Sequence, residues 1–186
     1  MKNNFNLKGT YFLIIVNVVV FVISFGGNIL TDSFGNYYGY IFFNHEWYRL
    51  FSCMFLHAGI SHLVCNMIAL LEYGFIVENT YGTCRFLELY ILSGLGASFI
   101  SALFNMVLSR DIISVGASGA ICGLLGVVLA DIKGDKKGKL INIIIGVVPL
   151  FIIGISPGID NFAHFGGVFI GYILGRIFRK KGNLDE

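Results

Sequence analysis

Apolar residues in this chain are gathered into long blocks divided by short polar breaks. A helix needs about 20 mainly apolar residues to cross a bilayer. Six blocks approach that length and are predicted as membrane spans: 11–30, 56–77, 86–108, 114–130, 140–155 and 162–178. Helices are expected throughout, because open sheet edges find no hydrogen-bond partners in lipid. The predicted fold is therefore an all-α membrane protein, a polytopic bundle of six transmembrane helices. No sizeable domain is expected outside the membrane, so residues 1–186 form one domain with short tails, about 1–9 and 179–186. The first block superficially suggests a signal peptide. Its apolar run of about 20 residues is longer than a signal core and lacks a small-residue cleavage site before the next polar stretch.

Composition supports the pattern. The chain is 56% hydrophobic and 13% charged, with mean hydropathy +0.78, where a soluble domain carries roughly a quarter charged residues. The 24 glycines against 2 prolines suit closely packed membrane helices. A net charge of +2 gives no case for nucleic-acid binding. The four cysteines, Cys53, Cys65, Cys84 and Cys122, have no CxxC spacing, so free thiols are expected rather than disulfides or a zinc site.

Charge then orients the bundle. With the N-terminus in the cytoplasm, Lys2, Lys8, Arg85, Lys133, Lys136, Lys137, Lys139, Arg176, Arg179, Lys180 and Lys181 fall inside. Of the 13 Lys and Arg, only Arg49 and Arg110 then fall outside, the bias that sets membrane topology. Both termini are therefore expected in the cytoplasm. The long outer segment, about 31–55, is rich in aromatics, either as an interfacial belt or as a loop lying partly in the outer leaflet.

In this topology the second, fourth and sixth spans all start at the outer face. Their first turns carry HAGISHLVCNM, GASGA and DNFAHFGG, which brings His57, His62, Asn66, Ser118 and His164 to one depth. Polar groups at such depth mark function or helix–helix hydrogen bonds. A serine needs a base to become a nucleophile, and His164 is the candidate. His62 and Asn66, four apart, share a helix face and offer donors to an anionic tetrahedral intermediate, as do the free amides at the helix start around Ser118. The only nearby carboxylate, Asp160, is expected in a loop, so a Ser–His pair is favoured over a full triad. Gly119 removes a side chain beside Ser118, leaving room for a substrate backbone. Ala120 breaks the G-x-S-x-G elbow of soluble α/β-hydrolases. Gly167, Gly171 and Gly175 recur every four residues after His164 and predict a flat helix face for close packing.

Four motifs together, WYR at 47–49, HAGISHLVCNM at 57–67, GASG at 116–119 and AHFGG with GxxxG at 163–175, resemble the rhomboid family of intramembrane serine proteases. The resemblance covers nearly the whole chain. It implies a Ser118–His164 dyad that hydrolyses peptide bonds in or near transmembrane segments of other membrane proteins. It also implies oxyanion stabilisation by His62, Asn66 and the Ser118 amide, structural roles for Trp47 and Arg49, and helix tying by Glu78. Favoured substrates would expose a small residue at the cut, unwind easily, and enter laterally near the second and fifth spans. One position departs from the family pattern: Cys122, one turn after the serine, stands where many relatives carry an aromatic that packs on the histidine ring. Glu72 has no assigned role beyond a pairing on the cytoplasmic side.

Competing readings are a catalytically inactive relative that binds transmembrane clients, a transporter, and a metal site of His57, His62 and His164. The chain keeps both dyad residues, shows no internal repeat, and lacks HExxH spacing. No cofactor or metal is therefore expected. The partners are transmembrane substrates and the bilayer, and the bacterial cytoplasmic membrane is the expected location, with the site toward the extracytoplasmic side.

Overall fold

The computed structural model describes residues 7–24, 27, 29–131 and 160–178. The expected span 140–155 and the basic residues at 2, 133–139 and 179–181 lie outside the described residues. Within them the chain is all-helical and forms no strand. One isolated antiparallel bridge joins Asn36 to Ser114.

The long helices are α1 (Lys8–Ser24), α4 (Ile60–Tyr81), α5 (Thr83–Val107), α6 (Ser118–Asp131) and α7 (Asn161–Phe178). Between α1 and α4 come two short helices, α2 (Ile29–Phe34) and α3 (Arg49–Ser52), a π-helical turn at Gly39–Phe43 and a 3-10 turn at Cys53–Phe55. The described part of α1 ends at Ser24, and residues 25, 26 and 28 of its expected span lie outside the described residues. α4 starts at Ile60 rather than at residue 56, because Gly59 is extended at φ 178 and ends the preceding loop.

α6 is the central element. Every residue from Gly119 to Val127 is buried, which explains a sequence apolar on all its faces. α7, α5 and α4 surround it, and α7 packs closest. Glycines let α6 and α7 meet backbone to backbone. A Cβ at Gly167 would stand 2.1 Å from the Gly119 carbonyl oxygen, and one at Gly171 1.9 Å from that of Gly123. A Cβ at Gly175 would stand 3.0 Å from the Val127 Cα. The paired positions rise together along both helices, so α6 and α7 run parallel with their first turns side by side. Leu70, Val77, Phe86, Leu89, Tyr90, Ile121 and Leu124 fill the remaining core.

The outer faces carry large exposed apolar side chains, among them Phe12, Ile15 and Ile23 on α1, Ile60 and Ile68 on α4, and Phe165 and Ile177 on α7. Water tolerates no apolar surface of that extent on a monomer. α4 and α5 are each long and apolar enough to cross a bilayer.

Candidate active site

Ser118 is the first residue of α6 and His164 lies in the first turn of α7. Because the glycine faces hold these helices together, the two side chains meet, with His164 Nε2 and Ser118 Oγ 3.0 Å apart. The segment leading to Ser118 is held from two sides. Ser114 exchanges backbone hydrogen bonds with Asn36 at 2.8 and 2.9 Å, and Gly116 N–H donates to the Cys53 carbonyl at 3.0 Å. Gly116 has φ +133, and a Cβ there would lie 2.8 Å from His62 Cε1. Glycine is needed at this position both for its backbone conformation and to let the His62 ring approach.

His62 and Asn66 share a face of α4 and border the same glycine, the Asn66 Nδ2 lying 3.6 Å from that Cβ position. Asn66 Nδ2 is buried and has no hydrogen-bond partner among the described residues. His57 lies off the helix, in the loop ahead of Gly59. Its ring is buried and packs edge-on against His62 at 5.2 Å between centroids. Gly119 also packs against α5: a Cβ there would stand 3.0 Å from the Ala97 Cβ. Cys122 is fully buried, 3.0 Å from where a Gly167 Cβ would stand. Glu72 is exposed on α4. Among the described residues, no three His, Cys, Asp or Glu side chains gather closely enough to hold a metal.

Asp160, the carboxylate expected in a loop, takes a role that the sequence pattern did not assign to it. It is buried just before α7, and its Oδ1 accepts the N–H of Phe162 at 3.0 Å and of Ala163 at 3.4 Å. This is the side-chain capping that aspartate performs at helix starts. Its Oδ2 accepts from Ser114 Oγ at 2.5 Å, Asn105 Nδ2 at 3.0 Å and Ser101 Oγ. No bond runs from this carboxylate to His164, whose buried Nδ1 has no hydrogen-bond partner among the described residues.

The remaining motif residues lie away from the serine. Glu78 is buried near the end of α4, and its two oxygens accept the N–H of Gly9 and Thr10 at 2.8 Å and the hydroxyls of Thr10 and Thr83 at 2.7 Å. One carboxylate thereby ties the starts of α1 and α5 to α4. Arg49 is buried in the outer segment. It donates to Glu46 Oε2 at 2.6 Å and to the carbonyls of Asp32 and Gly35 at 2.8 and 3.0 Å, with its guanidinium 4.4 Å from the centre of the Tyr40 ring. Hydrogen bonds from Arg49 and then Tyr48 hold the Glu46 carboxyl below its ordinary pKa. Trp47 is half exposed and meets Phe42 edge-to-face at 5.7 Å.

Residues 44–181 match the family profile described as the Rhomboid domain. The chain belongs to the rhomboid family. Among its relatives, RHOMBOID-like protein 1 of Arabidopsis thaliana is 43% identical over 140 residues, which cover 72% of this chain and 35% of that protein. Rhomboid protease GluP of Bacillus subtilis is 34% identical over 173 residues, covering 88% of this chain and 33% of that protein. Rhomboid protease AarA of Providencia stuartii is 33% identical over 178 residues, covering 82% and 60%. The chain thus spans about a third of the length of the first two relatives. As a rhomboid whose helices carry apolar outer faces, it is an integral membrane protein.

Proposed function

We propose that the chain is an intramembrane serine endopeptidase that cuts peptide bonds in or near transmembrane segments of other membrane proteins. The observation that carries this reading is the 3.0 Å contact between Ser118 Oγ and His164 Nε2, within the reach that proton transfer from a nucleophile to its base requires.

In this reading Ser118 Oγ attacks the scissile carbonyl carbon while His164 Nε2 takes its proton. The oxyanion that forms faces the first-turn amides of α6, which have no intrahelical acceptors, and the unpartnered Nδ2 of Asn66. His62 borders the same space and supplies a further donor. Such preorganised donors stabilise charge as it develops. His164 then gives the proton to the leaving amine, and a water repeats the sequence on the acyl-enzyme. The catalytic residues are Ser118 and His164 alone, since His164 Nδ1 meets no carboxylate. The reaction needs no cofactor.

The full bundle in this proposal has six spans in one domain, the fifth at 140–155. Both termini are cytoplasmic and the Ser118 end faces outward, as the distribution of Lys and Arg requires. We place it in a bacterial cytoplasmic membrane, in keeping with bacterial relatives that cover most of the chain. The purified chain in proteoliposomes should cleave a single-span substrate. Ser118→Ala and His164→Ala should each lower kcat by about 10⁴-fold or more. Undiminished cleavage by Ser118→Ala overturns the dyad. A wild-type chain that retains the substrate uncleaved would instead be a client-binding rhomboid.

A further inference from the structure

We propose that Asp160 is the positioning residue that sets the Ser118–His164 separation, because its one carboxylate joins the segment carrying the serine to the helix carrying the histidine. The inference rests on the proteolytic reading above.

On the histidine side, Oδ1 caps the first turn of α7 through Phe162 and Ala163. The His164 N–H donates to the Asp160 carbonyl at 3.4 Å, so the turn that carries the imidazole starts at this residue. On the serine side, Oδ2 accepts from Ser114 Oγ at 2.5 Å. Ser114 stands four residues before Ser118, and its backbone is paired to Asn36. Asn105 and Ser101 of α5 close the same network on Oδ2. Three separate parts of the chain thus meet on one buried group. All five donors are hydrogen-bond donors, and among the described residues no Lys or Arg pairs with the carboxylate.

His164 Nδ1 makes no hydrogen bond to either oxygen. Asp160 therefore moves no proton. It acts through distance: a shift of about 1 Å at a reacting pair can lower turnover about 100-fold. A residue that served only to cap α7 would affect stability and leave turnover of the folded protein unchanged. The link through Ser114 separates the two roles, because Ser114→Ala breaks the serine side of the bridge while leaving the cap whole.

The test uses the full chain in proteoliposomes with a single-span substrate, measuring kcat, KM and thermal unfolding. Asp160→Ala should lower kcat about 100-fold and Ser114→Ala about 10-fold, each with KM within about twofold of wild type. Asp160→Asn keeps the cap oxygen and can donate its amide to the two serine hydroxyls, so its loss should be smaller than that of Asp160→Ala. The double variant Asp160→Ala/Ser114→Ala should be no slower than Asp160→Ala alone, the mark of a shared interaction. Multiplicative losses, or a lowered unfolding temperature with unchanged kcat, overturn the proposal. If Asp160→Ala does not fold, Ser114→Ala and Asp160→Asn decide by the same criterion. A crystal structure of Ser114→Ala supplies a readout free of activity. The Ser118–His164 separation should exceed the hydrogen-bond limit of about 3.5 Å, and a retained 3.0 Å contact refutes the bridge. Failure of the wild-type chain to cleave refutes the protease reading alone, and that separation still decides the role of Asp160.

Discussion

Replacing Gly171 by alanine tests whether backbone packing between α6 and α7 is what brings the serine and histidine together. The new Cβ would lie 1.9 Å from the Gly123 carbonyl oxygen. Carbon and carbonyl oxygen come to rest about 3.3 Å apart, so the helices must separate locally by about 1.4 Å. The atom in the way is backbone of the buried central helix and cannot rotate aside. Overpacking of this kind costs about 1–3 kcal/mol, while alanine returns about 1 kcal/mol of helix propensity. The net loss is small, about 1 kcal/mol, and corresponds to a fall of about 2–4 °C in unfolding temperature for a chain of this size. Turnover should suffer more. His164 lies two turns away, about 10 Å along the axis, and a helix displaced by about 1 Å at its catalytic end loses about 100-fold in rate. Peptide-bond cleavage and thermal unfolding measured on the same preparation separate the two effects. Gly59→Ala is the control, since its backbone is extended and a Cβ there meets nothing within 4 Å. Wild-type turnover in Gly171→Ala would refute the claim that the glycine faces hold the pair in place.

Two further perturbations bear on the scaffold. Glu78→Gln puts an amide against the Gly9 or Thr10 N–H and orphans one buried backbone donor, at a cost of about 2–4 kcal/mol. Thermal unfolding should record this loss, with kcat of the folded fraction unchanged because Glu78 lies about 24 Å along α4 from His62. Unaltered stability would contradict the tie. Glu46→Gln should destabilise the outer segment near neutral pH, because the Glu46 pKa is lowered in the folded protein by Arg49 and Tyr48. A lowered folded pKa contributes stability above the ordinary carboxylate value, and that stability is lost as pH falls through the folded value. The unfolding difference between wild type and Glu46→Gln should therefore close on acidification, and a difference that persists in acid would refute the assignment.

The features legible in the sequence are those encoded locally. The positions of α4, α5, α6 and α7 follow from apolar length, with boundaries a few residues adrift where extended Gly59 or the 114–117 loop delays the helix. His62 and Asn66 share a face through their four-residue spacing, and Gly167, Gly171 and Gly175 mark one side of a close contact. The facing glycines on α6 emerge only from the packing. The partners of Asp160 stayed hidden for a related reason: Ser101, Asn105 and Ser114 stand 59, 55 and 46 residues from it in sequence. The same holds for the binding of Glu78 to Gly9 and Thr10, 69 and 68 residues away. Short-range periodicity carries no trace of which distant donor a buried carboxylate will find. Gly119 is a further case, because its close approach to Ala97, 22 residues earlier, also emerges only from the packing.

The central claim is that Ser118 is a nucleophile activated by His164, and covalent capture tests it most directly. The purified wild-type chain is treated with a fluorophosphonate and the modified residue is located by peptide mass spectrometry. The account predicts an adduct on Ser118 that disappears in Ser118→Ala and falls to background in His164→Ala, with both variants folded. An unmodified Ser118 in folded wild-type protein, or labelling undiminished in His164→Ala, would contradict it.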